Sequence, residues 1–329
     1  MVSDKEVETI KDLEKLYYES TGISDFPSSS ETVGKYGPIY GAKVWSYLNN
    51  ASPIFKTLEK EVWKYSGFRA VVPSKTVTTD GNKMRFASLE VRPSSFAHQF
   101  TWSKEQEKND PSILGILREQ FARHHVEMLN IQLWDGINFN SAPHSLNHLI
   151  SSRSEVQSSL EGGCGFGDGQ KLYPIQYGGE EVFVDRLKLT NSWADSLVYH
   201  NKGIPRVLTK EMLRSALLNQ WESAGSPKLI FTVDELVPTV KEFVADEKLE
   251  LEKGVVSVGS GKCHTPLVFM LDTDYISLRI AKPSQYFEAG PSVGDHDMNE
   301  IQSTGMYRTV LNTVVRFFSP QVKIRDLVI

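Results

Sequence analysis

Two cysteines in 329 residues, Cys164 and Cys263, are too few to staple a chain of this size. A disulfide-built secreted scaffold carries more, so the count points to a reducing compartment. No apolar run approaches the roughly 18 residues that a membrane-spanning helix needs. The opening MVSDKEVETI is acidic and lacks the apolar stretch of a signal peptide. An excess of basic charge is missing too. The formal net charge is -5, so no global field draws the chain to nucleic acid, and DNA contact would be non-specific.

Catalytic and cofactor motifs break where they begin. GSGKCHT (259–265) has the Gly-Lys of a phosphate loop, but Val256 stands where that loop needs Gly and Cys263 where it needs Ser or Thr. GGCGFGDG (162–169) does not open a periodic helix, so it reads as a loop rather than a dinucleotide cradle. His124-His125-x-Glu127 lacks HExxH spacing. Helical neighbours also point about 100° apart and do not readily share one metal. Cys164, Cys263 and His264 have no second CxxC pair beside them. The loop positions Asp272, Asp274, Asp295, His296 and Asp297 lack EF-hand order. No GxSxG elbow sits between a strand and a helix. No catalytic residue, metal ligand or cofactor is therefore assigned, and the expectation is a chain that is not an enzyme.

What is present is patterning. At about 150 residues per domain the length fits roughly two lobes. Residues 3–21 form an expected helix, capped by Ser3 with Glu6 closing the box. Val7, Ile10 and Leu13 share its apolar stripe, and Gly22 is the stop. SDFPSSSETVGKYGPIYG within 23–43 is rich in Ser, Gly and Pro and reads as an arm. A short helix follows at Val44–Asn49, broken at Pro53.

Phe68–Thr78 and Lys83–Arg92 then flank Thr79-Asp80-Gly81-Asn82, a hairpin signal. Arg69, Lys75, Lys83 and Arg85 lie on this ribbon among Val71, Val72, Met84 and Phe86. A two-stranded ribbon alone is marginal in water, so it needs its own body or a partner. Phe96, His98, Phe100 and Trp102 continue at the period of a strand.

A long helix is predicted from Pro111 to Asp135, with Asp110 as N-cap and Gly136 beyond its end. Glu119, Arg123, Glu127 and Asn130 make its polar stripe, while Ile113, Ile116, Phe121, Met128 and Trp134 belong to a wide apolar surface. Residues 137–205 read as irregular, with a strand at Glu181–Leu189. Thr209 caps a second helix to residue 224, whose apolar face includes Leu213, Leu217 and Trp221, with Gly225 as its stop. The strand KLIFTV (228–233) and a helix from Asp234 complete a helix–strand–helix, the sign of an α/β lobe. Phe121, Met128, Trp134 and Trp221 are the candidate core anchors. Strands at 255–258, 267–271, 275–280, 306–318 and 322–328 finish the chain.

PSILGILREQFARHHVEMLNIQLWDG, LTKEMLRSALLNQWESAGSPKLIFTVDELVPTVKEF and TVLNTVVRFFSPQVKIRDLVI carry a resemblance. They resemble the spine helix, the axial lobe and the closing strands of the HK97-like capsid fold, found in major capsid proteins of tailed double-stranded DNA viruses. The likeness covers the whole chain by order of elements. It implies an α+β fold with an N-terminal arm over 1–55, an E-loop hairpin over 56–103 and a peripheral domain over 104–194 with spine helix 111–135. An axial domain over 195–272 and a peripheral-domain β return over 273–329 complete it.

The resemblance further implies a structural protein that self-assembles into pentamers and hexamers of an icosahedral virion shell around double-stranded DNA, put together in the host cytoplasm. Val7, Ile10, Leu13, Arg69, Lys75, Lys83, Arg85 and Phe86 are then inter-subunit contacts. Its partners would be other copies of itself, a separate scaffold protein, a portal and decoration proteins, with no membrane. An encapsulin-like compartment shell, a two-domain α/β enzyme and a tail or tube protein are the alternative readings.

Overall fold

The computed structural model describes residues 37–73, 85–103, 112–136, 142–161, 170–177, 180–293 and 301–329. In chain order it begins with helix α1 (Gly37–Ala51) and the one-turn α2 (Pro53–Thr57). Strand β1 (Glu59–Val62) and the hairpin of β2 (Gly67–Val72) and β3 (Arg85–Glu90) follow, then β4 (Ser94–Ser103). The long helix α3 (Ile113–Asp135) leads to α4 (Leu146–Leu149) and α5 (Arg153–Leu160). A second hairpin pairs β5 (Lys171–Tyr177) with β6 (Glu180–Asp185). Beyond it come β7 (Leu197–Tyr199), α6 (Lys210–Glu222), β8 (Leu229–Thr232), α7 (Val237–Asp246), β9 (Gly254–Ser257) and β10 (Val268–Leu271). The long strands β11 (Ile276–Val293) and β12 (Ile301–Val315) and the short β13 (Val322–Ile324) close the chain.

Two sheets organise these parts. The first runs β1-β11-β12-β4, and the spine helix α3 crosses it. Phe121 stacks on Phe100 of β4 at 4.4 Å, and the Tyr307 hydroxyl of β12 donates to the Arg118 carbonyl oxygen at 2.7 Å. The second runs β7-β13-β10-β8-β9, and its central strands β8 (LIFT) and β10 (VFML) are buried at every position. A continuous apolar run is what a strand covered on both faces requires. Trp134, at the end of α3, joins the two. Its ring meets Phe269 of β10 edge-on at 4.9 Å, and its Nε1 donates to the Thr265 carbonyl at 3.1 Å.

Several expectations change on folding. Residues 37–43, read as part of an arm, open α1, which packs into the body through Ala42, Val44, Trp45 and Leu48. Gly41 permits the approach, since a Cβ there would lie 2.7 Å from the Ser284 carbonyl oxygen of β11. Trp45 then meets Phe55 at 5.2 Å, so tertiary burial overrides the weak helix signal of Gly and Pro. Ser52 caps α2. Asn130, assigned to the solvent stripe of α3, is buried instead. It accepts from Ser52 Oγ at 2.9 Å and donates to the Val258 carbonyl at 3.3 Å. Ile116, placed on the apolar surface, is 55% exposed. The expected cap Asp110 and Pro111 lie outside the described residues.

The segment 137–205 is more regular than its composition suggests, because Ser145 and Ser152 cap α4 and α5. Helix α6 starts at its expected cap, with Thr209 accepting from Met212 N. Its stop differs, because Ala224 takes the left-handed conformation (φ 60) rather than Gly225. Gly225 is needed for space, as a Cβ there would fall 2.2 Å from Pro320. The last strand, β13, pairs with β10 and β7, so the chain ends in the α/β lobe rather than in the sheet of β11 and β12.

Candidate assembly interface

The hairpin of β2 and β3 is built from alternation. Phe68 pairs with Leu89 and both are buried, Arg69 and Phe86 lie exposed on the opposite face, and Arg85 is exposed farther along the Phe68 face. Val72 pairs with Arg85. The expected turn at Thr79-Asp80-Gly81-Asn82 lies outside the described residues. Burial of the Phe68–Leu89 pair helps set the register of the described part of the ribbon.

The root of the ribbon is fastened to the first sheet. Glu61 of β1 accepts from the Arg316 guanidinium through both carboxylate oxygens, at 2.5 and 2.6 Å. Arg279 of β11 lies 3.4 Å from Glu61 Oε2, with its guanidinium 5.4 Å from the Phe68 ring centre. The Val71 amide donates to the Arg316 carbonyl at 2.7 Å. Phe68 meets Tyr173 of β5 edge-on at 5.1 Å. A single Arg316 nitrogen, Nη2, serves both Glu61 oxygens, and such charge-assisted hydrogen bonds are among the stronger ones, so they help fasten the root of the hairpin to the sheet.

Cover thins along the ribbon. Phe86 is 51% exposed and shares one face of the ribbon with exposed Arg69, while exposed Arg85 lies on the other face. An open groove of about 1010 Å³ runs along this edge, lined in part by Tyr65, Phe86, Glu90 and Arg316. An exposed apolar ring on the same face as a cation suits a partner that offers a carboxylate beside an apolar patch.

The structure brings together only some of the residues expected at the interface. Arg69, Arg85 and Phe86 share the hairpin. Val7, Ile10, Leu13, Lys75 and Lys83 lie outside the described residues. Of the core anchors, Trp134 is fully buried, while Phe121 and Met128 are half-buried. Trp221 is not a core residue, being 49% exposed. The buried line of α6 is Leu213, Ala216, Leu217 and Gln220. At 100° per residue Trp221 sits roughly 90° from the middle of that line, on the flank. Sequence reasoning missed Glu61, Arg279 and Arg316. The only available signal was a charge inside each strand-like segment.

Helix α3 holds a second polar cluster where it crosses the sheet. His125 Nδ1 lies 3.2 Å from His98 Nδ1, and His125 Nε2 lies 2.9 Å from Thr309 Oγ1. Burial, with the neighbouring His98 and His124 adding to it, holds the His125 imidazole neutral and lowers its pKa to about 3. These groups pack the helix on the sheet. No cluster of three or more His, Cys, Asp or Glu suited to a metal occurs among the described residues. No helix among them is long and apolar enough to cross a membrane.

The architecture is α+β. It shows in order a hairpin, a long helix, an α/β lobe and closing strands. No family profile and no curated protein sequence matches the chain. Solved structures similar to it include a virus-like particle from Pyrococcus furiosus, at 11% identity and a TM-score of 0.47, covering 88% of this chain and 100% of that one. The capsid asymmetric unit of cyanophage A-1(L) is similar at 14% identity and a TM-score of 0.44, covering 93% and 99%. The capsid of a native GTA particle is similar at 9% identity and a TM-score of 0.49, covering 92% and 95%.

Proposed function

We propose that this chain is the major capsid protein of a tailed double-stranded DNA virus, a structural subunit and not an enzyme. Copies assemble into pentamers and hexamers of an icosahedral shell around the packaged genome. The observation that carries this reading is the hairpin. Its root is locked to the body by Glu61, Arg279 and Arg316, yet Arg69, Arg85 and Phe86 remain uncovered on a subunit whose own core is already closed. Such a ribbon gains burial only on another molecule, at roughly 25 cal/mol per Å² of apolar surface. The same contact repeated head to tail closes a ring.

On this reading the α/β lobe stands near the ring axis, and residues 1–36 with Val7, Ile10 and Leu13 dock on a neighbour. Lys75 and Lys83 extend the basic edge of the hairpin. A separate scaffold protein, a portal and decoration proteins are the further partners, and assembly takes place in the host cytoplasm. With a net charge of -5, the subunit meets packaged DNA by local, non-specific contacts.

The test is microscopy of the purified chain. Full-length protein should form closed shells in negative stain. Deleting Lys75–Arg85 should leave a soluble, cooperatively folding subunit that forms none. A small monodisperse oligomer from the full chain would overturn the shell reading, and normal shells from the deletion would overturn the role of the hairpin.

A further inference from the structure

A line of side chains joins the spine helix to three strands of the first sheet. His98 Nδ1 of β4 lies 3.2 Å from His125 Nδ1 of α3, and His125 Nε2 lies 2.9 Å from Thr309 Oγ1 of β12. Thr309 Oγ1 lies 2.8 Å from Ser284 Oγ of β11. His125, Thr309 and Ser284 are buried, and His98 is half-buried. Neither hydroxyl makes a further hydrogen bond among the described residues. The rings that face the two imidazoles are Phe96 of β4, His124 of α3 and Tyr307 of β12. The charged forms that act on them are those of the histidines themselves.

Each contact in the line needs one hydrogen, and the hydrogens can be placed in two directions. In the first, Ser284 donates to Thr309, Thr309 donates to His125 Nε2, and His125 Nδ1–H donates to His98 Nδ1. Every buried hydrogen then has an acceptor, and His98 keeps its own proton on Nε2. In the second, His98 Nδ1–H donates to His125 Nδ1 and His125 Nε2–H donates to Thr309. One buried hydroxyl hydrogen is then left without an acceptor, whichever way the two hydroxyls turn. A buried donor without a partner carries its full desolvation penalty, so the first direction is the resting one.

We propose that this line is a one-way clasp worked by a proton: neutral His98 receives the bond from His125, and protonation of His98 reverses all three bonds and loosens β11 and β12 from α3. One proton enters from solvent. His98 ends with two N–H groups, and the His125 hydrogen passes from Nδ1 to Nε2. Burial, with the charged form of His124 adding to it, lowers the His98 pKa. The clasp is therefore closed above the ordinary histidine value near 6.5 and opens below it. His125 stays neutral throughout, so the opening needs no charge in the core.

The test begins on the wild-type full-length chain with ring-¹⁵N-labelled histidine. Above about pH 7.5, where histidine is neutral, nitrogen shifts should place the His98 hydrogen on Nε2 and the His125 hydrogen on Nδ1. The opposite pair of tautomers would overturn the proposal. A second measurement follows deuterium exchange at the histidine ring carbon by mass spectrometry, which reads the pKa of a single histidine. The tryptic peptide Phe86–Lys104 contains His98 and no other histidine. His125→Phe keeps a buried ring but removes the donor, so the His98 pKa should rise by about one unit. A fall would mean that His125 is the acceptor, and an unmoved value would leave burial as the whole cause. Either result sinks the idea. Amide exchange in β12 should quicken as wild-type His98 titrates and stay level over the same interval in His98→Phe. Exchange that ignores the titration would also overturn the clasp. Should a variant fail to fold, the wild-type tautomers still decide.

Discussion

Glu61 and Arg316 are joined through both carboxylate oxygens, at 2.5 and 2.6 Å, although 255 residues separate them in the chain. This pair fixes where the hairpin leaves the sheet. It is partly exposed, so its contribution to folding is modest, about 1 kcal/mol or less. Its weight falls on geometry. Glu61→Gln should leave the melting temperature within a few degrees of wild type and sharply lower the yield of shells. Hydrogen exchange should rise in Gly67–Val72. A large melting shift with normal shells would mean that the pair supports the core rather than the angle of the ribbon.

Phe86 presents a contrasting case on the same ribbon. It is exposed on the subunit, so Phe86→Ser should change folding stability by no more than about 0.5 kcal/mol. If it anchors a contact between copies, the same change should slow assembly and raise the protein concentration needed to form shells. Light scattering during assembly measures this, and unchanged kinetics would remove Phe86 from the interface.

The two tryptophans near the ends of α3 and α6 separate what the sequence made legible from what it hid. Both sit on apolar stripes at helical spacing, and periodicity alone gave them one role. Trp134 is caged by Phe231 and Phe269 of the second sheet, whereas Trp221 flanks its helix beyond the buried line. The long helix, the Thr209 cap and the buried strand LIFT were readable because caps and apolar runs are local. Helix α1 was legible only over Val44–Asn49, since GPIYG ahead of it reads as a breaker until Trp45 meets Phe55. The Glu61–Arg279–Arg316 group and the His98–His125–Thr309–Ser284 line were hidden for another reason. No motif links the members in the sequence, and only the fold brings them together.

That difference is measurable. Trp134→Ala should cost about 3–5 kcal/mol, because a large buried side chain leaves a cavity between the spine helix and β10. Trp221→Ala should cost no more than about 0.5 kcal/mol in the isolated subunit. Chemical denaturation of the two variants decides it, and equal losses would contradict the burial assigned to either residue.

Acid should loosen the subunit at three histidines, His125 and His148 buried and His144 half-buried. Burial lowers His125 to about 3 and His144 to about 4, and it holds His148 well below the ordinary value, with neighbouring charges adding to it. A histidine whose pKa is depressed in the folded state binds its proton more readily once unfolded. Stability is therefore full above the unfolded value near 6.5 and drains as pH falls toward the folded one. At about pH 5, each of His125 and His144 should withdraw about 2 kcal/mol. Glu155, which burial raises but Lys323 and Arg325 pull down to about 2, adds its own loss only below the ordinary carboxylate range. The melting temperature should hence drop between about pH 7 and pH 5, before carboxylates titrate. His125→Gln should flatten part of that slope, since an uncharged amide keeps a polar contact to Thr309 without a proton to gain. A melting curve that is level over this interval would show that these imidazoles are not held neutral by the core.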